Sequence, residues 1–261
     1  MITSRIIEHA KQQHWMAVSI EFLMVVLGVF LGIQVSNWNE ARVEKHLAME
    51  YIERLARDVT KDLAGNRGLV AYYAAVLNSV ERADKLLSDP AAPSRELVVQ
   101  AYRATEINYS PPTRATWDQI VSAGHLGLLP ERLIDSGLSD YFAADSARLA
   151  YEDVRESAYR HTVRKIIPID VQMAIREGCS DVRDEAQTIV GFVENCRLNV
   201  KPTVLDEIAA ELRHDPAVRA DLRYQYSDVV SAYLNLSGDV VSLEKALQVL
   251  NDISRQQGRA P

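Results

Sequence analysis

Apolar side chains crowd one stretch of this chain and then thin out into a spaced pattern. Residues 15–35, WMAVSIEFLMVVLGVFLGIQV, hold one formal charge, Glu21, and from Phe22 to Asn39 there is none. A helix rises about 1.5 Å per residue, so the run can cross a hydrocarbon layer of roughly 30 Å. In lipid only a helix satisfies every backbone N–H and C=O from within one segment. Trp15 and Trp38 bracket the run, and Asn37, Asn39 and Glu40 follow as a polar exit. Indoles favour the headgroup zone, so Trp15, Trp38 and Asn39 are expected at the membrane interface. Val43, Leu47, Tyr51, Ile52, Leu55, Val59 and Leu63 then recur at three- and four-residue intervals. That period predicts that the span runs on into an amphipathic stem, which pairs with a second copy or packs on its own chain.

Gly65 and Gly68 weaken the stem locally, and Pro90 and Pro93 end it between Ser88 and Ser94. The rest of the chain keeps helical spacing. Ser94 is expected to cap a helix reaching Glu106, and Thr116 with Gln119 has the spacing of a capping box. Gly124 suits a left-handed stop covered by Leu126, and a short helix runs from Pro130 towards Gly137. Leu138 to about Ile167 reads as one long helix that Pro168 kinks or ends, with another over 181–197. Pro202 opens a helix to His214, and Asp215-Pro216 introduces one over 217–235. Ser242 to Gln256 carries the last amphipathic pattern. The expected fold is all-α, in four parts: a tail over 1–14, an anchor over 15–38, a stem over 39–88, and a bundle over 94–256 packed with the stem.

Composition narrows the function classes. Of 261 residues, 48% are apolar and 25% charged, enough for a folded body. The net charge of −7 and scattered arginines argue against nucleic acid as a partner. A cleavable leader would need a small-x-small site, which Gln34-Val35-Ser36-Asn37-Trp38 lacks. Arg5 and Lys11 before the span nearly balance Arg42 and Lys45 after it, so charge alone orients it weakly. Cys179 and Cys196 permit a disulfide outside the cytosol, although two buried thiols suit the spacing equally. The favoured placement is a single-pass bacterial inner-membrane protein with a cytoplasmic N-terminus and an extracytoplasmic body.

Within the span, Glu21, Gly28 and Gly32 stand at i, i+7 and i+11, on one helical face. Small residues there allow helices to approach closely, which suggests self-association. Local chemistry is sparse elsewhere. The histidines show no metal-ligand spacing, no phosphate loop or nucleophile elbow occurs, and no cofactor is expected. His161 is the best isolated polar candidate. Asp181, Asp184 and Glu185 suit the first turn of a helix, and Glu207 with Glu211 a solvated face. Tyr109, Trp117, Tyr141, Tyr224 and Tyr226 either line a groove or belong to the core.

The string VVLGVFLGIQVSNWNEARVEKH, residues 25–46, resembles the opening signature of a bacterial family of uncharacterised single-span membrane proteins. In that family the span ends in Ile-Gln-x-x-Asn-Trp-Asn-Glu; here Ile33, Gln34, Asn37, Trp38, Asn39 and Glu40 match, while Val35 and Ser36 depart from its usual choices. TWDQIVSAGHLGLLPERLIDSGLSDYF, 116–142, is similar to a second landmark and RHDPAVRADL, 213–222, to a third. The resemblance implies the architecture above and no reaction. A membrane-anchored structural or protein-interaction module, with lipid, a second copy or another envelope protein as partner, is the leading expectation. The alternative is a tethered sensor, which a cavity with convergent Tyr, Arg and Asp side chains would favour.

Overall fold

A computed structural model describes residues 15–185 and 187–257. The tail over 1–14, with Arg5 and Lys11, and the side chain of Trp15 lie outside the described residues. The chain divides into two compact units, 1–51 and 52–261.

Helix α1 spans Trp15–Ser88 and ends where Pro90 and Pro93 forbid its continuation. In the first unit α1 is long and apolar enough to cross a membrane, and none of its most apolar window is buried. In the second unit its stripe turns inward: Ile52, Leu55, Val59, Leu63, Leu69, Tyr72, Tyr73 and Val76 are all buried. This part of the stem therefore packs on its own chain. Gly65 and Gly68 do not break it; they admit neighbours. A Cβ on Gly65 would meet Ser110 Oγ at 2.7 Å, and one on Gly68 would meet Thr188 Cγ2 at 2.1 Å.

The second unit is a helical bundle with one small hairpin. After α1 come α2 (Ser94–Arg103), α3 (Ala115–Ser122), a 3-10 turn (His125–Leu128) and α4 (Glu131–Leu133), which passes into a π turn (Ile134–Leu138). Then follow α5 (Ser139–Ala144), α6 (Ser146–Arg155), α7 (Ala158–Ile166) and α8 (Ile169–Gly178). An antiparallel pair, β1 (Asp181–Arg183) and β2 (Ile189–Phe192), precedes α9 (Pro202–His214) and α10 (Pro216–Gln257). Helix α10 lies against α6, α7 and the π turn, and α9 lies against α2. One contiguous core joins Leu69–Leu87 of α1 to α2, α6, α7, α8, α9 and α10. Two of its buried phenols find backbone acceptors: Tyr73 donates to the Asn108 carbonyl at 3.2 Å and Tyr159 to that of Ala101 at 3.3 Å.

Four expectations need correction. Leu138–Ile167 is three helices, not one, because two capping residues interrupt it. Asp145 adopts φ 45° and accepts from the Arg148 N–H, and Ser157 accepts from the Arg160 N–H. Residues 181–197 are the hairpin, not a helix. Asp181 sits in β1, and Asp184 accepts from the Thr188 N–H at 2.8 Å in the turn. Cys179 and Cys196 are joined as a disulfide across its neck. Residues 217–235 and 242–256 belong to a single helix, since Leu236 and Leu243 bury completely on either side of Gly238. Finally, Ser94 and Thr116 are not caps; the positions belong to Pro93 and Arg114, and Thr116 is buried.

Gly124 does take the left-handed conformation, φ 71°, although Leu126 remains exposed beside it. Gly137, φ 91°, lies inside the π turn, not at the end of a helix. A Cβ there would meet Ser242 Oγ at 2.8 Å. Asp215 caps α10 by accepting from the Ala217 N–H at 2.8 Å.

Candidate functional site

In the first unit, the large apolar residues described between Ile20 and Val35 are all exposed, and so are Glu21, Asn39 and Trp38, the last at 69%. Among the described residues nothing lies within 4 Å of a Cβ placed on Gly28 or Gly32. The face carrying Glu21, Gly28 and Gly32 is thus an open surface.

In the second unit, a cleft of about 790 Å³ opens where α1, α2 and the hairpin meet. Helical spacing supplies two of its walls. Ser79 and Arg82 stand at i and i+3 on α1, and Gln100 and Arg103 at i and i+3 on α2. The hairpin brings Phe192 and Glu194 as the third wall. Arg82 pairs with Glu96, and Arg95 donates to the Cys196 carbonyl, fastening the hairpin neck to α2.

Arg103 differs from these rim arginines because it is only 7% exposed. Its Nη2 donates to the Val193 carbonyl at 2.6 Å and, more weakly, to that of Cys179 at 3.3 Å. The guanidinium carbon lies 5.1 Å from the centre of the Phe192 ring. Nε is buried without a hydrogen-bond partner, and no carboxylate pairs with Arg103 among the described residues. Burial, and then the charge of Arg82, push Arg103 below the usual arginine range, while Asp181 and Glu106 oppose that from the far side. A buried guanidinium with donors to spare is an electrostatic demand that the protein itself does not meet.

Two other polar clusters are bonded largely within themselves. Glu106 accepts from Arg164 at 2.6 Å and lies 3.9 Å from Arg176, while Arg164 stacks 3.6 Å above the Tyr102 ring. On α1, Asp62 accepts from the Thr113 N–H at 3.0 Å and from the Tyr141 hydroxyl at 3.2 Å, and Asn66 donates to that hydroxyl at 3.2 Å. Burial raises the Asp62 pKa despite these bonds. These bonds tie α1 to the loop before α3 and to α5, while Asn66 Oδ1 stays buried without a hydrogen-bond partner.

The aromatic residues singled out in the sequence do not form one groove. Trp117 stacks on Phe142 at 5.1 Å, Tyr141 is buried beside it, and Tyr109 meets Tyr151 at 5.6 Å. Tyr224 and Tyr226 are exposed on α10. His161, Glu207 and Glu211 are exposed as well, and no metal-holding group of side chains occurs among the described residues. The cleft was missed because its walls come from distant segments. The usable signal was an arginine at the end of α2, three residues after Gln100. No family model, curated protein or solved structure matches the chain.

Proposed function

We propose that this chain is a membrane-anchored helical module, held by residues 15–38 and presenting residues 52–257 to water as an interaction domain. One observation carries the reading: a continuous sleeve of Ile, Leu, Val, Phe and Met from Ile20 to Val35 is exposed all round. Leaving each such side chain in water forfeits about 1.5–3 kcal/mol relative to burial, and a sleeve this size demands a cover. A bilayer supplies one on every side of a helix at once. The likeness of Ile33, Gln34, Asn37, Trp38, Asn39 and Glu40 to a family span exit is in keeping with this. Trp38 and Asn39, with Trp15 at the other end, are then interface residues.

The Cys179–Cys196 disulfide supports a body outside the cytosol, because such bonds persist in oxidising compartments. The open face at Glu21, Gly28 and Gly32 supports association between two copies within the membrane. A tethered ligand-binding role is the second reading, favoured by the cleft around Arg103. Membranes washed at alkaline pH test the anchor: the full chain should stay in the pellet and require detergent for release. Recovery of intact, monodisperse protein in the wash would refute it.

A further inference from the structure

We propose that the cleft between α1, α2 and the hairpin binds a small monoanionic amphiphile, its carboxylate against Arg103 and Arg82 and its apolar body against Phe192 and Val99. The site lies wholly within residues 52–261 and stands whether or not residues 15–38 cross a membrane.

The first argument is the unmet charge. Holding the hairpin neck occupies only Nη2 of Arg103, a task that a neutral amide donor performs without burying a cation. What remains is a buried guanidinium with Nε unpartnered, beside a second arginine and with no paired carboxylate among the described residues. An anion entering the cleft supplies the missing counter-charge. Asp181 and Glu106 act on Arg103 through their charge, yet neither forms an ion pair with it. Glu106 is already committed to Arg164 and Arg176.

The second argument sets the ligand class. Three arginines against two glutamates line the cleft, leaving a single net positive charge, which suits a monoanion. Glu194 at the exposed rim, and Glu96 behind Arg82, repel a phosphate dianion. Phe192, Val99 and Ala75 provide an apolar wall beside the charge, so a bare inorganic ion would leave that wall wet. The volume of about 790 Å³ accommodates a drug-sized organic molecule.

The full chain in mild detergent can be titrated by calorimetry with 3-phenylpropionate, with its neutral amide, and with inorganic phosphate. The carboxylate should bind, with the amide and phosphate at least about tenfold weaker, the loss expected when one charge-assisted contact is removed. Arg82→Gln, at a half-exposed position, should weaken the carboxylate about tenfold without altering the fold. Arg103→Gln keeps a donor for the hairpin carbonyls and should abolish binding; its far-ultraviolet spectrum and intact disulfide report whether the wall still stands. If Arg103→Gln does not fold, Arg82→Gln decides alone. Failure of the wild-type chain to bind 3-phenylpropionate overturns the proposal. So does an amide or phosphate that binds as well, or carboxylate affinity unchanged in Arg82→Gln.

Discussion

Asp239 on α10 is buried, and its Oδ2 has no hydrogen-bond partner. Burial raises its pKa to about 6 against the opposing hydrogen bond of the Ser146 hydroxyl, with the charge of Asp145 adding the least. The folded-state value exceeds the unfolded one of about 3.9, so the stability this carboxyl contributes is complete below about pH 4. It is lost as pH rises through 6. Asp239→Asn keeps the shape without the charge. In urea unfolding it should exceed the wild type by on the order of 1–2 kcal/mol at pH 8, with the difference vanishing near pH 4. Equal midpoints at both pH values would show that Asp239 ionises without cost. Some residue-scale features were open to inspection of the sequence. Asp215 before Pro216 caps as its chemistry dictates, and Gly124 turns left-handed. Asp145 was not, because a left-handed aspartate inside apolar helical spacing has no local signature. Nor was Arg103, whose meaning depends on carbonyls some 76 and 90 residues away along the chain.

Helices whose stripes face the core were the readily legible elements, and α9 matches its expected bounds at Pro202 and His214. The errors share a cause: tertiary context overrode local propensity. Asn235, Ser237 and Gly238 are poor helix formers, yet α10 continues through them because Leu236 and Leu243 bury fully on both sides. The hairpin was read as helix because its acidic turn resembles a helix start. Its strands are three and four residues long, too short to reveal alternation. What holds them is the neck. Gly178 lets the chain close there, since a Cβ would sit 1.8 Å from the Arg197 carbonyl oxygen. The Arg197 N–H in turn donates to the Gly178 carbonyl at 2.9 Å, and the disulfide lies beside it. For the apolar part of α1, the proposed association face yields its own prediction. Gly28→Leu with Gly32→Leu should abolish crosslinked dimers in membranes while leaving the body folded. Dimers at wild-type abundance would assign association, if any, to another surface.

At the scale of the whole molecule the two units obey opposite solvent rules: between Ile20 and Val35 the first exposes its large apolar side chains, whereas the second buries its own in a core. That contrast was visible from hydropathy alone, whereas the cleft was not, being assembled from three separated segments. Compartment follows from covalent chemistry. If the body lies outside the cytosol, Cys179 and Cys196 should resist a maleimide in freshly lysed cells until a reductant is added; labelling without reductant would place it inside. Replacing both by serine should lower stability by about 3 kcal/mol, the closure entropy of a loop whose ends stand 17 positions apart. The long α10 has a further consequence for how the chain is made. Leu133 and Leu138 rest under a helix whose Ser242 abuts Gly137, so their shelter is translated roughly ten seconds after them, at about 10 residues per second. Until that helix leaves the ribosome these two leucines lack their cover, and a nascent chain stalled short of it presents a greasy seam to whatever chaperone waits at the exit.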